Sequence, residues 1–297
     1  MVGILSQGRL GNQMFQYAFI YAASKKLNTP FFIINHNSLH YFKLHQNLQK
    51  NNTKNTFKYA ALNFFKKSSI KLSRKTARTP IIWLKNWATY KNIYTWRNTT
   101  YGENYLLPCI NNNILFDGFF QSEDYFVHLK EEILQQFEIK PVYQQQFKSL
   151  KKHIFVKEVI ALHIRRSDYI FFGNDDIGGI NVALPIDYYK KSLSLIKNKE
   201  NYNIIFISDD IEFVKNEFGN NFNYYYENNS EIIDFQLLMN ANILIIANST
   251  FSWWAAWLNK KDDKIIYAPN YFLGFKIKKF YPAGIKVSNW KWIDVIS

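Results

Sequence analysis

The chain has 297 residues, of which 47% are hydrophobic and 18% aromatic, and this is enough apolar material for two hydrophobic cores. We find no apolar run of about 18 residues and no signal segment, so a soluble cytoplasmic protein without membrane spans is expected. The single cysteine, Cys109, excludes an internal disulfide, and no Cys/His spacing resembles a zinc site.

The positive charge is concentrated in the first third of the sequence. Residues 1–102 contain 16 Lys or Arg and no Asp or Glu, whereas residues 103–297 contain 21 basic and 23 acidic residues, so the net charge of +14 is the sum of +16 and −2. Such a segment favours an anionic partner, and we expect peripheral contact with an anionic membrane surface at the inner membrane face. A solvated basic surface without a partner is an equal alternative, and the sequence leaves the oligomeric state open.

The first half of the sequence predicts a strand, loop and helix unit followed by less regular segments. Ser122 is the expected N-cap of a helix, and Trp83, Leu84, Trp87 and Tyr90 fit one helical face. Hydrophobic periodicity and turn residues place the strands at 2–6, 31–35 and 114–120 and the two clearest helices at 14–27 and 122–137.

The second half alternates strands with helices, as in a doubly wound parallel sheet. The break at Lys140-Pro141 separates it from the first half, which predicts the domains 1–150 and 151–297. Because ligands of such sheets bind at the carboxyl ends of the strands, the residues that follow the strands form the candidate site. The strands are expected at 159–164, 203–208, 222–226, 242–247 and 264–268, and the helices at 185–197, 212–218, 231–240 and 250–258.

Two arginines follow the first strand of this half. Arg165 and Arg166 carry fixed positive charges and the fork geometry that suits phosphate oxygens, which predicts an anionic, phosphorylated ligand. Strand alternation places His163 on the same face as Arg165, while Arg166 points to the other face. An arginine pair that is only neutralised by carboxylates such as Asp168 is an equal alternative.

Two further strand ends carry polar side chains. Asp209 and Asp210 are suited to ribose hydroxyls or a base edge, although the spacing of Asp209 and Glu212 also fits a capping box. The turn at 248–252 leads from a strand directly into a helix, and its hydroxyls and free N–H groups predict an anion site that the helix dipole strengthens. Ser249 as an ordinary N-cap is the alternative.

Taken together, four segments in this order resemble the α-1,2-fucosyltransferases of bacteria and vertebrates. A fifth segment, Gly118 to Glu123, resembles another stretch of that family. The chain departs from the family at Ser167, where the family usually has glycine. The four segments are Gly8 to Tyr17, His163 to Tyr169, Ile207 to Asp210 and Ala247 to Trp254.

The resemblance implies an α/β fold of the GT-B type, with two Rossmann-like domains and an active site in the cleft between them. It implies an inverting bacterial enzyme of surface polysaccharide biosynthesis that transfers L-fucose from GDP-β-L-fucose to the 2-hydroxyl of a terminal β-galactoside. GDP-fucose would be the donor substrate, a galactose-terminated glycan the acceptor, and no cofactor is expected. The alternatives are a fucosyltransferase of different acceptor or linkage and, from another class, a basic nucleic-acid-binding protein, for which no binding module is recognisable.

The resemblance and the strand ends together nominate the site residues. Arg165 matches the arginine that contacts the donor pyrophosphate, and Asp168 is the first candidate for the base that takes the acceptor proton. An Asp168 paired with an arginine would be a poor base, and Asp117 and Glu123 are the next candidates. The predicted acceptor-binding residues are Gln13, Asp117, Gln121 and Glu123. The predicted donor-binding residues are Asn12, His163, Arg165, Arg166, Ser208, Asp209, Asp234, Asn248, Ser249, Thr250, Phe251 and Ser252.

We expect no metal ion at this site. GDP gains a negative charge when the bond between fucose and phosphate breaks, and the two arginines with the helix start at Ser249 could stabilise that charge in place of a metal. The adjacent carboxylates Asp175-Asp176 and Asp209-Asp210 keep a divalent metal open as the alternative.

Overall fold

The computed structural model describes residues 2–44, 91–94 and 114–296. The predicted helical face at 83–90, Cys109 and most of the basic first third lie outside the described residues. The chain divides into two compact units. The first consists of Met1–Gly8, Phe15–Phe120 and Asp124–Glu138, and the second of Arg9–Met14, Gln121–Glu123 and Ile139–Ser297.

The first unit contains a four-stranded parallel sheet in the order β2-β1-β4-β3. Its core is aromatic: the ring of Phe19 stacks on that of Phe120 with 3.8 Å between centroids and meets Phe116 and Tyr125 edge to face. Edge-to-face and stacked rings add to the free energy gained from burying apolar surface. The strands are β1 (Val2–Leu5), β2 (Phe31–Ile34), β3 (Lys91–Tyr94) and β4 (Ile114–Asp117), and the helices of this half are α1 (Leu10–Lys26) and α2 (Lys130–Gln136).

Helix α1 begins four residues earlier than predicted, at Leu10 rather than Met14. The backbone of Gly8 has a φ of 79°, which turns the chain out of β1, and the N–H of Gln13 already donates to the Arg9 carbonyl at 3.1 Å. A glycine adopts this left-handed conformation without the strain that a side chain would cause. Most of the segment expected to be a turn is therefore the first turn of a helix.

The predicted helix start at Ser122 is wrong. Two short 3-10 turns, Glu123–Tyr125 and Val127–Leu129, come first, and α2 begins only at Lys130. Tyr125 and Phe126 are completely buried, so packing of these rings in the core overrides the local helical preference.

The second unit contains a six-stranded parallel sheet in the order β12-β11-β10-β5-β8-β9. This confirms the predicted doubly wound α/β architecture, and the strand at Val159–Ile164 has the predicted bounds. The sequence missed the last strand, which is only three residues long. A small antiparallel hairpin stands apart from the sheet. The sheet strands are β5 (Val159–Ile164), β8 (Asn203–Ser208), β9 (Tyr224–Glu227), β10 (Ile243–Ile245), β11 (Ile265–Pro269) and β12 (Lys291–Ile293), and the hairpin strands are β6 (Gly173–Asn174) and β7 (Gly179–Ile180).

One helix of the second unit begins before the predicted boundary at residue 150 and crosses it. Helix α3 clusters with this unit, and Gln236 Nε2 donates to the Tyr143 carbonyl at 3.2 Å. Tertiary contacts of this kind leave no mark on the local sequence. The helices are α3 (Pro141–Lys151), α4 (Ile186–Ser194), α5 (Ile211–Phe218), α6 (Glu231–Met239) and α7 (Thr250–Leu258).

Helix α7 is apolar on nearly every side and lies in the core of the second unit. Trp253 and Trp254 are completely buried, and Trp253 Nε1 donates to the Ile285 carbonyl at 3.0 Å. A helix that is hydrophobic all round is stable only when other elements cover it, and here the carboxyl-terminal segment takes part in that cover. Within the described ranges, no helix is both long and apolar enough to cross a membrane.

The strand order places a topological switch point between β5 and β10. From β5 the chain proceeds to β8 and β9 on one side, and then returns to β10, β11 and β12 on the other. The segments that leave β5 and β10 therefore diverge to opposite faces of the sheet and open a crevice between them. The segments that follow β5 and β10 both contain residues of the predicted site.

In the first unit, Gln16 connects the ends of β1 and β4. Its Oε1 accepts hydrogen bonds from Ser6 Oγ at 2.9 Å and from the N–H of Gln7 at 3.0 Å, and its Nε2 donates to the Gly118 carbonyl at 2.9 Å. The side chain is completely buried, so these three bonds have no water to replace them. Gln16 lies in the first recognised segment, but no local pattern around it predicted a role for this residue.

We predict that Gln16→Ala lowers the free energy of unfolding by about 2 to 4 kcal/mol, because it leaves a buried hydroxyl, an N–H and a carbonyl without their partner. Urea unfolding followed by circular dichroism measures the change. Gln135→Ala, in the exposed face of α2, is the matched control and should shift stability by less than about 0.5 kcal/mol. Equal effects of the two substitutions would contradict the connecting role.

Candidate active site

Arg165 is held by two carboxylates at the end of β5. Its Nη2 lies 2.7 Å from Asp168 Oδ1, and its Nη1 lies 3.1 Å from Asp209 Oδ2. The Arg165 side chain is only 18% exposed. Because the two carboxylates contact different nitrogens of one planar group, they fix the orientation of the guanidinium as well as its position.

Arg166 has a separate set of partners. Its Nε lies 3.0 Å from Asp210 Oδ2, and its guanidinium carbon lies 3.5 Å from the centroid of the Phe213 ring. Both arginines are thus paired with carboxylates, as the predicted alternative proposed. This pairing does not exclude an anion site.

Asp209 accepts hydrogen bonds from the turn that carries the arginines. The N–H of Arg166 donates to Oδ1 at 2.9 Å, the N–H of Ser167 donates to Oδ2 at 3.3 Å, and the Ser167 hydroxyl also donates to Oδ2. Burial raises the pKa of Asp209, but the Ser167 hydroxyl, the Arg165 charge and these N–H groups outweigh burial and hold the pKa below its ordinary value. Asp209 is therefore an ionised acceptor that closes the turn.

These bonds settle two points that the sequence left open. Asp209 does not form the predicted capping box; Asp210 is the N-cap of α5, and its Oδ1 accepts from the N–H of Phe213 at 3.4 Å. The helix begins at Ile211, so Asp210 and not Asp209 occupies the cap position, and the Asp209 oxygens bind the arginine turn instead. Ser167, which replaces the glycine usual in the family, adds a hydroxyl that strengthens this turn.

Asp168 lies between two guanidiniums. Its Oδ1 contacts Arg165, and its Oδ2 lies 3.4 Å from Nη2 of Arg9 in the segment before α1. The Arg9 side chain is 72% exposed and Asp168 is 46% exposed, so the ion pair between them is weak. Sequence reasoning assigned no role to Arg9, although its place beside Gly8 in a recognised segment was a signal. The role of Asp168 as a base stays a prediction.

The turn after β10 supplies the second part of the site. Ser249 occupies the N-cap position of α7, but its side chain caps no N–H of that helix. The first N–H groups of a helix lack intrahelical partners and carry the positive end of its dipole, which suits them to an anion. Ser252 and Asn248 are buried: the Ser252 hydroxyl donates to the Ser249 carbonyl at 3.2 Å, and Asn248 Nδ2 donates to the Val182 carbonyl at 2.8 Å.

Asn12 joins two other predicted site residues. Its Oδ1 accepts from Thr250 Oγ1 at 3.0 Å and from Gln121 Nε2 at 2.8 Å. Gly11 permits this arrangement, because a Cβ at that position would lie 2.4 Å from the Thr250 carbonyl carbon. The segments Arg9–Met14 and Gln121–Glu123 thus pack against the start of α7. The predicted donor residue Asn12 and the predicted acceptor residue Gln121 are brought together.

Tyr169 links the two parts of the site. Its hydroxyl donates to the Asn248 carbonyl at 3.3 Å, and the Arg165 guanidinium lies 5.7 Å from its ring centroid. Burial raises the pKa of Tyr169 to about 12, so the hydroxyl remains a donor at neutral pH. Tyr169 ends a recognised segment, but its chemistry alone did not distinguish it from an ordinary core tyrosine.

His163 is buried beneath Phe251, with 5.4 Å between the ring centroids. Burial, with a further contribution from the Arg165 charge, lowers the pKa of His163 to about 3. The imidazole is therefore neutral at physiological pH and adds no charge for a phosphate. Its Nδ1 has no hydrogen-bond partner among the described residues.

The remaining predicted residues have other partners. Glu123 Oε2 accepts from Trp257 Nε1 at 2.9 Å, and Ser208 Oγ accepts from the N–H of Asp210 at 3.0 Å. Asp234 accepts from Asn229, with Nδ2 at 2.8 Å from Oδ1, and burial raises the pKa of Asp234 above its ordinary value.

Two predicted acceptor residues complete the set. Gln13 is buried in the first turn of α1. Asp117 belongs to the first unit, where its Oδ1 accepts from Gln7 Nε2 at 3.3 Å. Across the residues that the structure describes, no three His, Cys, Asp or Glu side chains group as metal ligands.

The neutral His163 predicts an acid-sensitive stability. The unfolded state takes up a proton below the ordinary pKa of about 6.5, whereas the folded state does so only near 3, so this stability is complete above 6.5 and lost as the pH falls. When the pH is lowered from about 7 to about 5, the free energy of unfolding of wild type should fall by roughly 2 kcal/mol more than that of His163→Gln. Urea unfolding at both pH values measures the difference. His128→Gln, at an exposed position, is the control and should lose as much unfolding free energy as wild type between the two pH values. An equally large loss in His163→Gln would refute the neutral, buried state of His163.

Comparison with known proteins gives consistent results. The O-antigen biosynthesis glycosyltransferase WbnK of Escherichia coli is 31% identical over 286 residues, which cover 88% of this chain and 91% of that protein. An α-1,2-colitosyltransferase of Escherichia coli is 30% identical, covering 93% and 94% of the two chains. The solved structure of POFUT1 in complex with GDP-fucose has a TM-score of 0.53 at 10% identity, covering 90% and 97%, and this shared fold confirms the GT-B prediction.

The family model of glycosyl transferase family 11 matches residues 1–293. This match extends over both units, except for residues 294–297, and includes all the segments that were recognised in the sequence. Together with the relatives above, it shows that the chain belongs to glycosyl transferase family 11 and is a bacterial member of the α-1,2-fucosyltransferase family.

Proposed function

We propose that the protein transfers L-fucose from GDP-β-L-fucose to the 2-hydroxyl of a terminal β-galactoside, with inversion to an α-1,2 linkage. The observation that carries the proposal is the pairing of a fixed guanidinium, Arg165, with the start of α7, joined through Tyr169. Family membership supports fucosyl transfer, and the arrangement suits a diphosphate leaving group.

The chemistry needs positive potential where charge develops. As the glycosidic bond to phosphate breaks, the sugar becomes oxocarbenium-like and the departing GDP gains a negative charge. Asp168 and Asp209 keep the Arg165 guanidinium in one orientation before substrate arrives, so little reorganisation is needed at the moment of reaction. We assign Arg165 to the diphosphate, Asp209 to positioning Arg165, and the turn from Asn248 to Ser252 to the same anion.

Inversion also needs a base for the acceptor proton. Trp257 occupies one oxygen of Glu123, whereas the partner of Asp168 Oδ2 among the described residues is the exposed Arg9, at 3.4 Å. A contact of this length and exposure costs little to break when an acceptor hydroxyl approaches. We therefore retain Asp168 as the proposed base, acting through Oδ2.

A second candidate donor comes from the colitosyltransferase relative. Colitose is fucose without its 3-hydroxyl, so both sugars would present the same leaving group to Arg165. The O-antigen glycosyltransferase relative favours a surface polysaccharide as the acceptor for either sugar. A donor pocket that hydrogen-bonds the 3-hydroxyl would reject the deoxy sugar, because a buried partner would be left unpaired.

The decisive experiment incubates the protein with GDP-fucose or GDP-colitose and a panel of β-galactosides, and locates each new linkage by NMR. We expect an α-1,2 fucosyl product, at a rate unchanged by EDTA because Arg165 and α7 supply the positive potential. If the protein used only GDP-colitose, the proposed donor would be wrong. If the new linkage formed at a hydroxyl other than the 2-hydroxyl, the proposed acceptor position would be wrong. Activity that is lost in EDTA and restored by magnesium would refute metal independence.

Arg165→Ala should reduce kcat/KM at least about tenfold, because it removes a charge-assisted contact worth roughly 1.5 to 3 kcal/mol from the transition state. Arg165→Lys keeps the charge but loses the fork, and we expect an intermediate rate. Steady-state kinetics with varied GDP-fucose measures both.

The control is Lys190→Ala, which removes an exposed cation paired with Glu217 at 2.8 Å and should leave the rate unchanged. Near-normal kinetics in Arg165→Ala would remove this residue from the mechanism.

A further inference from the structure

Two phenylalanines are exposed immediately beyond the arginine turn. Phe171 is 83% exposed and Phe172 is 54% exposed, and both lead into the hairpin formed by β6 and β7. Neighbouring exposed aromatic side chains are uncommon on a soluble protein and mark a binding surface more often than single exposed residues do. We call the segment from Phe171 to Ile180 the aromatic hairpin.

The aromatic hairpin has a constrained backbone. Gly173, Gly178 and Gly179 have φ values of 140°, 88° and 91°, a region that side chains rarely adopt. The N–H of Asn181 donates to the Phe172 carbonyl at 2.9 Å, and Lys276 Nζ donates to the Ile180 carbonyl at 2.7 Å. These bonds close the base of the hairpin and fix its outer strand, so the phenylalanines are displayed on a defined structure.

The base of the hairpin is attached to the proposed active site on both sides. On the incoming side, the N–H of Phe171 donates to the Asp168 carbonyl at 3.3 Å. On the outgoing side, the Val182 carbonyl accepts from Asn248 Nδ2 at 2.8 Å. Between them, the Tyr169 ring lies 6.2 Å from that of Phe172 and its hydroxyl reaches Asn248. The hairpin therefore continues directly from the residues assigned to the diphosphate and the base.

We propose that Phe171 and Phe172 form the platform on which the acceptor galactoside lies while its 2-hydroxyl approaches Asp168. The inference rests on the proposed function. A β-galactoside has one face of C–H groups, and this face packs against an aromatic ring while the hydroxyls at the rim stay in water. The phenylalanines would hold the acceptor chiefly by removing that apolar face from water.

Charge on the hairpin favours a sugar over an anionic membrane. Asp175 and Asp176 lie in the turn between β6 and β7, and both are exposed. Two carboxylates at the tip would repel anionic headgroups, whereas carboxylate oxygens accept hydrogen bonds from sugar hydroxyls. The acidic tip and the aromatic base together match a neutral, hydroxyl-rich glycan.

The test compares Phe171→Ala and Phe172→Ala with Phe222→Ala. Phe222 is 80% exposed in the same unit and outside the aromatic hairpin, so it controls for loss of an exposed ring. We expect kcat/KM for the galactoside to fall by about tenfold or more in the hairpin variants, chiefly through KM, since a buried aromatic face contributes on the order of tenfold or more in binding. Phe171→Trp keeps an aromatic ring at this position and should have a kcat/KM for the galactoside close to that of wild type.

Two donor-only readouts separate a platform from a structural role. The affinity for GDP-fucose, measured by calorimetry, and its slow hydrolysis to free fucose should be the same in all the variants. An unchanged acceptor KM in both alanine variants overturns the platform, and so does an equal loss of donor affinity and acceptor transfer. A wild-type protein that transfers no fucose to any galactoside overturns the proposed function and the platform with it.

Discussion

The ion pairs of Arg165 are the constraint on which the rest of the site depends. One guanidinium contacts Asp168 on one side and Asp209 on the other, and Asp209 in turn closes the turn that carries both arginines. Removing either carboxylate would leave a largely buried cation with half of its partners. Because both pairs involve one planar group, they fix the direction of the arginine fork that we propose for the diphosphate.

The charges of the cluster balance. Arg9, Arg165 and Arg166 face three aspartates, at positions 168, 209 and 210. The net charge of these six side chains is zero, so the positive potential that the proposed site offers a diphosphate is confined to the guanidinium fork and the start of α7. In the proposed mechanism, diphosphate binding depends on directional donors, namely the arginine fork and the first N–H groups of α7, and such donors select for geometry as well as for negative charge.

The topology explains why these groups meet. Strands β5 and β10 are neighbours but feed segments to opposite faces of the sheet, so the arginine turn and the start of α7 open at one crevice. Asn248 contacts both sides, since its carbonyl accepts from Tyr169 and its amide donates to Val182. One buried asparagine thus couples the proposed anion site to the aromatic hairpin.

The sequence by itself determined the local elements of the second unit and the residues at their ends. Continuous apolar runs and Pro or hydroxyl punctuation located β5, β8 and α7, because these signals act within a few residues. Tertiary structure alone decided the rest. Tyr125 and Phe126 are buried, and the predicted helix does not begin at Ser122. Arg9 pairs with Asp168, which is far from it in the sequence, and Asp209 binds the arginine turn and not the start of α5. Each of these outcomes depends on partners distant in the chain, and local sequence carries no record of which distant group will occupy a side chain.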